Sequence, residues 1–334
     1  MAYQNIGTPV FYVCNLQWLK HNGMLISQDT DFTADHIDLI GINPTSIIDL
    51  YAKEGTEGVG TNDNMYYISQ NAGMFKDFMY REKNFVMALG HNFSNLSATL
   101  SFGKGDQAYQ LICDTPYVNG ENERNGFSIW RGDDADAINT NKVRFQFDYI
   151  EQELPIKIGS LLYGNYYEMP HSPDLNLTLT REYAGVKVLE TKGGATLTNT
   201  NYESPSKWGN AGCWELYQGD TPVQNLSRSG RRVWDLSFSY ISDSDLFPDM
   251  SALNNFGDST YTEGGDHENT LLNDYNFFSV VLNKTQGLPF IFQPDSSNNN
   301  SDQFAIARFD QNSFQFRQVA HNTYNIKLKI RESW

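Results

Sequence analysis

Apolar and polar residues alternate along four long stretches of the chain. In VRFQFDY every second residue is apolar, and the same alternation recurs near residue 177, in the run beginning at Trp234 and at the C-terminus. A period of two places one set of side chains on each face of a β-strand. Such strands suit antiparallel sheets with one face on a core and one in water. The pattern predicts strands over 143–149, 175–180, 234–240 and 324–331.

Helical spacing is convincing in one region only. Leu271, Tyr275, Phe278 and Leu282 recur at intervals of four, three and four, and Gly287 follows them. This spacing predicts a helix near 270–285. Weaker patterns predict short helices over 16–21 and 46–53, the second of them after an Asn-Pro pair. The prediction is therefore a mainly β protein with one or a few helices.

The segments between strands are rich in Gly, Asn, Asp and Ser, as loops are. The segment MPHSP, residues 169–173, carries two prolines and lies between two sets of strands. We therefore predict two β-sandwich or β-barrel-like domains of antiparallel sheets, over 1–170 and 171–334. The role of the first 80 residues stays open.

Composition narrows the class of protein. Aromatic residues make up 14% of the 334 residues, which favours pleated sheets. The net charge of −16 and the lack of basic runs argue against sequence-specific nucleic-acid binding. No apolar stretch is long enough for a membrane-spanning helix and no signal peptide is evident. The widely spaced Cys14, Cys113 and Cys213 predict buried thiols in a reducing compartment, so we expect synthesis in a cytoplasm.

The triplet Gly-His-Asn at 90–92 raises the question of chemistry. His91 would need a nucleophile within hydrogen-bond reach to act as a base. Ser94 and Ser97 are close in sequence, but no strand-to-helix elbow presents them. Gly90 and Asn92 tolerate the positive φ of a turn, so we interpret His91 as a turn residue that packs or bonds locally.

Other polar clusters predict no active site either. His36 lies between two aspartates without a second ligand cluster, and His171 lies between a proline and a serine. Acidic residues fall in Gly- and Asn-rich loops without the spacing of an EF-hand, and no nucleotide-binding or metalloprotease motif occurs. We expect no catalytic residues, no metal and no cofactor; the loop acids in question are Asp133, Asp134, Asp136, Asp266, Glu268, Asp295 and Asp302.

Tryptophans near glycine-containing polar segments are the weak binding candidates. A ring there could stack on a sugar or seal an interface between subunits, although a core or edge position is the commoner use of Trp. The candidates are Trp18 and Trp130, with Trp208 and Trp214 in similar surroundings.

Several of these segments together resemble structural proteins of tailed bacteriophages, especially minor-tail and distal-tail or baseplate components. The segment NFVMALGHNFSNLSATLSFG (84–103) is similar to a turn between strands of a galactose-binding-like β-sandwich module, and 142–170 looks like the closing part of the same module. The segments at 169–199, 230–242 and 287–295 and the last strand resemble a tail-ring domain.

The resemblance implies a virion structural protein that is not an enzyme. It would be a homo-oligomeric ring subunit that joins the tail tube to adhesion or baseplate proteins, in the virion tail. Two alternatives stay open. One is a receptor-binding lectin module with a host surface glycan as partner and Trp18 or Trp130 in the site, and the other is a tail glycosidase that uses loop acids.

Overall fold

The computed structural model describes residues 6–30, 39–50, 64–70, 83–92, 99–104, 111–112, 127–132, 142–148, 156–182, 186–200, 230–248, 270–299 and 303–333. The fold is mainly β with few helices, as the sequence predicts. The strands in chain order are β1 (Val10–Cys14), β2 (Leu25–Thr30), β3 (Ile48–Leu50), β4 (Asn64–Gln70), β5 (Asn84–Leu89), β6 (Thr99–Lys104), β7 (Leu111–Ile112), β8 (Phe127–Gly132), β9 (Lys142–Asp148), β10 (Ile156–Ile158), β11 (Ser160–Glu168), β12 (Thr178–Glu182), β13 (Val186–Glu190), β14 (Thr196–Thr200), β15 (Arg231–Ser242), β16 (Phe290–Gln293), β17 (Ala305–Phe309), β18 (Phe316–Ala320) and β19 (Thr323–Glu332).

Helical segments are few and short. They are α1 (Asn15–His21), α2 (Asp243–Leu246), α3 (Thr270–Asn273), a π-helical segment (Phe278–Leu282) and α4 (Asn283–Thr285).

One antiparallel sheet of ten strands, the main sheet, contains more than half of the strand residues in the described chain. Its order is β12-β15-β19-β17-β16-β1-β11-β5-β8, and β18 pairs with β19 beside β17. A second sheet has the order β2-β4-β9-β6-β7. The described chain also has two two-stranded sheets: β3 pairs with the distant β10, and β13 forms a hairpin with β14.

The alternating stretches form strands, with local departures. β9, β15 and β19 match the prediction, and on β15 the side chains of Trp234 and Phe238 are buried. The alternation stops at a bulge, where Tyr240 has a φ of 63° and is exposed while Ile241 is buried. The strand predicted over 175–180 begins only at Thr178, after a turn in the described chain.

Among the predicted helices, 16–21 is confirmed by α1. The helix predicted over 46–53 is wrong for 46–50, where β3 pairs with β10 through Ile48 and Ile158. The Asn-Pro pair at 43–44 favours a helix start, but the pairing of β3 and the burial of Leu50 outweigh it. Isoleucine is β-branched and adds little preference for a helix. Residues 51–53 lie outside the described chain.

The helix predicted near 270–285 exists but is interrupted. The side-chain oxygen of Asn276 accepts a hydrogen bond from the backbone N–H of Ser279 at 2.8 Å, which is an N-cap contact. The chain therefore stops a first turn at Asn273 and begins a second segment. Phe277 and Val281 become the buried face, whereas Leu271 is exposed. Gly287 has a φ of +90° after the end.

Two apolar clusters lie against the main sheet. Cluster one contains Val10, Tyr12 and Cys14 of β1, and cluster two contains Phe11 and Val13 of the same strand. Because successive side chains of a strand point to opposite faces, β1 is buried on both. This explains the uninterrupted apolar run VFYVC.

The main sheet takes strands from both sides of 169–173. β1 pairs with β11 on one edge and with β16 on the other, where Phe11 lies opposite Phe292. The ranges 1–170 and 171–334 stay a prediction as domains, and β1 is the element that joins their strands into one sheet.

Candidate functional site

His91 lies directly after β5, at the end of the main sheet. The sequence interpretation placed it in a reversal between two strands, but β5 and β6 belong to different sheets. Gly90 has a φ of +69°, as a turn requires, whereas Asn92 does not adopt a positive φ and its Oδ1 accepts a hydrogen bond from the backbone N–H of Lys157 at 2.8 Å. His91 is thus a buried residue at a strand exit, only 5% exposed.

The partner of His91 comes from another strand. Its Nε2 lies 2.9 Å from the hydroxyl oxygen of Ser128 on β8, the strand beside β5. Ser128 is distant in sequence, so local inspection of Ser94 and Ser97 missed it. The signal that could have found it is a serine in the otherwise apolar start of FSIWRG, the segment that forms β8.

Burial decides what the His91–Ser128 pair can do. Desolvation lowers the pKa of His91 to about 3, and a backbone hydrogen bond at Phe127 acts in the opposite direction. An imidazole held neutral over the physiological range, with a buried serine as neighbour, is a satisfied core contact. A catalytic base would need a pKa nearer the working pH and access to a substrate.

The tryptophan candidates are placed differently. Trp130 on β8 is 6% exposed and belongs to cluster one. It therefore occupies a core position, which is the alternative to a sugar-binding role. Trp18 on α1 is half-buried and packs against the same cluster. The structure does not bring the two rings together as exposed faces, and sugar binding at either stays a prediction.

Arg131, next to Trp130, forms a polar cluster with two tyrosines and a glutamine. Its guanidinium carbon lies 5.0 Å and 4.6 Å from the ring centroids of Tyr12 and Tyr166, and its Nη2 donates to Gln293 Oε1 at 3.0 Å. The Tyr12 hydroxyl donates to the same oxygen at 2.8 Å. These contacts join β8, β1, β11 and β16, so the cluster stabilises the middle of the main sheet.

Burial shifts the pKa of two further side chains, Cys14 and Lys284. Desolvation raises the pKa of the Cys14 thiol to about 11, against a weaker opposing hydrogen bond from the backbone N–H of Gln17. A thiol of this kind is unreactive, as the sequence predicts for a buried cysteine. Desolvation lowers the pKa of Lys284 to about 7, and this side chain is also buried.

The loop acids and remaining histidines do not form a metal site where the chain is described. In the described ranges no group of three or more His, Cys, Asp or Glu side chains could hold a metal ion. Asp295 Oδ1 accepts from the N–H and hydroxyl of Ser297 at 3.0 and 2.7 Å, which closes a turn, and His171 contacts the carbonyl oxygen of Ser172. The remaining candidates lie outside the described residues: His36, Asp133, Asp134, Asp136, Asp266, Glu268, Asp302, Trp208, Trp214, Cys113 and Cys213.

The β13–β14 hairpin carries the most notable apolar surface. Val188, Leu189 and Leu197 are 59%, 64% and 58% exposed, and Leu189 lies directly opposite Leu197. Leu189 and Leu197 share one face of the hairpin, and Val188 points to the opposite face. A two-stranded hairpin is marginally stable alone, and adjacent exposed apolar side chains mark interaction sites. Sequence reasoning overlooked it because VKVLE and ATLTN have no strong alternation.

Within the described chain, none of the helices is both long and apolar enough to cross a membrane. Comparison of the chain with models of protein families, with curated proteins and with solved structures found no match.

Proposed function

We propose that this chain is a structural subunit of a bacteriophage tail, in a tail-tip, distal-tail or baseplate ring that links the tail tube to the adhesion apparatus. The family comes from the resemblance of the segments over 84–103, 142–170 and 169–334. The mainly β, antiparallel architecture is compatible with such a role. The subunit carries out no chemistry and acts through its contacts.

The exposed β13–β14 hairpin is the observation that supports an assembly role most directly. Leu189 and Leu197, which share one face of the hairpin, stay in water in the isolated chain. Burying them against a neighbouring protein would remove apolar area from water, which contributes about 25 cal/mol per Å². Edge strands of an open sheet also suit a subunit whose edges meet neighbours in a closed ring.

The glycan-binding alternative gains no support from Trp130, because a buried ring presents no face to a sugar. Trp18, which is half-buried, remains the residue to test for it. Titration of host envelope glycans against the chain and its Trp18→Ala variant would reveal such a site as binding that the substitution removes.

Purified virions test the proposed function. We expect peptides of this chain in isolated tails and ring-shaped density at the tail tip that an antibody to the chain labels. An L189S/L197S variant should fold normally and enter tails poorly, while K192S at the same hairpin's exposed turn serves as the control. Absence of the chain from purified tails would contradict the proposal.

A further inference from the structure

The outer face of the C-terminal half of the main sheet is basic in an acidic protein. On β19, Ile326, Leu328 and Ile330 are buried in cluster two, so the residues between them point to the opposite side. The pairing registers place side chains of β12, β15, β17 and β18 on that same side. We call this surface the basic face; its cations are Arg231, Arg308, Arg317, Lys327, Lys329 and Arg331.

Like charges lie directly opposite each other on this face. Arg308 of β17 is the register partner of Arg331 of β19, an arrangement that destabilises an isolated sheet. Lys327, Lys329 and Arg331 follow at alternate positions of one strand, about 7 Å apart. Positive side chains are therefore adjacent both along β19 and across its pairing with β17.

Among the described residues, four acids partly neutralise the basic face. One of them, Asp174, accepts a hydrogen bond at 2.8 Å from the hydroxyl of Ser239, a residue that points to this side of β15. Lys329 Nζ lies 3.0 Å from Asp310 Oδ2 and Arg331 Nη2 lies 2.7 Å from Glu182 Oε2, all half-exposed, and Asp235 is exposed beside Lys329 in the register. In the described part of the chain, six basic and four acidic side chains lie on this face, whereas the whole chain carries −16. The net charge of the remaining residues is therefore more negative than −16.

Apolar side chains border one end of the basic face. Tyr240 is 76% exposed and its backbone N–H donates to Asn325 Oδ1 at 3.1 Å, which places it beside the face. Val319 of β18 is also exposed, two residues from Arg317. Tyrosine and arginine together are typical of protein interfaces.

We propose that the basic face binds an acidic surface of a second copy of this chain. Charge complementarity supports this occupant, because a second copy brings a chain with a net charge of −16 whose excess of acidic residues lies away from the basic face. A contact between two different faces of identical subunits is heterologous, and it closes into a ring when the rotation permits. Glu182, Asp235 and Asp310 among the cations argue against a phosphate backbone as the partner. The inference rests on the proposed function, since it identifies how ring subunits meet.

Charge reversal tests this contact. The variants are Lys327→Glu and the double variant R317E/K327E, both at exposed positions. The matched control is Lys157→Glu, which makes the same charge change at an exposed lysine of β10. Sedimentation velocity of the full chain over a concentration series, at about 0.05 M and about 0.5 M NaCl, measures self-association and its screening.

We expect the wild type and Lys157→Glu to associate at low salt and to dissociate as salt rises. Association should weaken at least tenfold in Lys327→Glu and further in R317E/K327E, with unchanged thermal unfolding of the monomer. A wild type that stays monomeric at low salt, or reversal variants that associate like the control, would overturn the inference. Anisotropy with a short labelled DNA duplex completes the test, since binding that only the basic-face variants lose would assign the face to nucleic acid instead.

The two proposals fail differently. Tails that contain the chain but assemble normally from R317E/K327E would reject the basic face as the contact and leave the proposed function intact. Salt-sensitive self-association of a chain absent from tails would reject the proposed function and keep the contact.

Discussion

At the scale of single residues, His91 makes the stability of the protein depend on pH. Its pKa falls from about 6.5 in the unfolded chain to about 3 in the fold. The unfolded state therefore binds the additional proton, and stability present above pH 6.5 is lost as pH falls towards 3. Between pH 7 and pH 5 the loss from this residue is about 2 kcal/mol.

Denaturant unfolding of the wild type and of His91→Gln at both pH values measures this contribution. The variant keeps a side chain that can bond Ser128 but does not titrate, so its loss between the two pH values should be smaller by about 2 kcal/mol. His321→Gln, at an exposed histidine, is the control and should behave like the wild type. Equal pH dependence of wild type and His91→Gln would show that His91 is not held neutral by burial.

Gly164 on β11 allows the close approach of β1. A Cβ at this position would lie 1.9 Å from the carbonyl oxygen of Val13, a contact that only a backbone shift can relieve. We expect Gly164→Ala to lower the free energy of unfolding by about 3 kcal/mol. Gly193→Ala, where an added Cβ meets open space, should change it by less than about 1 kcal/mol. Similar unfolding midpoints for the two variants would contradict the tight packing.

Residue-scale predictions succeed where the cause is local. The buried thiol of Cys14 follows from its place in an apolar run. The Ser128 partner of His91 does not, because a contact between neighbouring strands depends on a sheet order that no local pattern specifies. Burial of Trp130 has the same origin, since β8 pairs with β5 at one end of the main sheet and the Trp130 ring packs in cluster one.

At the scale of elements, a buried ion pair links β15 to β19. Arg232 Nη2 lies 2.7 Å from Glu332 Oε1 and also donates to the carbonyl oxygen of Phe304 at 2.7 Å. Glu332→Gln would leave the guanidinium charge buried without its counter-charge. We expect a loss of about 3–5 kcal/mol in urea unfolding. Asp310→Asn at the half-exposed Lys329 pair should cost at most about 1 kcal/mol.

A double variant separates the charge from the packing. R232M/E332M removes both charges and keeps apolar volume, so it should be more stable than Glu332→Gln. A double variant that is less stable than Glu332→Gln would mean that the hydrogen bonds of Arg232, including the one to Phe304, matter more than its buried charge.

Element predictions hold where alternation is long and fail where a polar side chain competes with the pattern. β15 and β19 are predictable because strict alternation outweighs their polar residues. The helix near 270–285 is interrupted because the side chain of Asn276 caps a new helical segment. The spacing of apolar residues does not show that a polar side chain will bond the backbone in this way. The predicted helix is wrong over 46–50 because Ile48 pairs with Ile158, a strand partner more than a hundred residues away.

At the scale of the whole molecule, the connection between the two halves was the least predictable feature. The segment 169–173 with its two prolines predicts a domain boundary, and the composition of the chain does not argue against that boundary. Only the pairing of β1 with both β11 and β16 reveals that the main sheet continues across it. The physical reason is that successive side chains of a strand point to opposite faces. VFYVC therefore contributes side chains to both clusters.

This shared strand predicts that the two clusters unfold together. Phe11→Leu reduces the volume of a side chain in cluster two and should cost about 1–2 kcal/mol. Trp130 reports on cluster one and Trp234 on cluster two. With fluorotryptophan incorporated and both resonances assigned, ¹⁹F NMR should show one midpoint for the two residues, shifted equally by Phe11→Leu. Val319→Ala, on the exposed edge of the sheet, should shift neither.

Two separate midpoints would contradict the coupling and would support independent units over 1–170 and 171–334. In that case Phe11→Leu would move the Trp234 midpoint and leave that of Trp130 in place. If the two clusters unfold together, a ring contact on the basic face stabilises both of them. Cluster one would gain stability although the contact lies on the other half of the sheet. Binding to the native state alone raises the stability of every region that unfolds with the contact. Salt that dissociates the contact should therefore lower both midpoints in the wild type and leave them nearly unchanged in R317E/K327E.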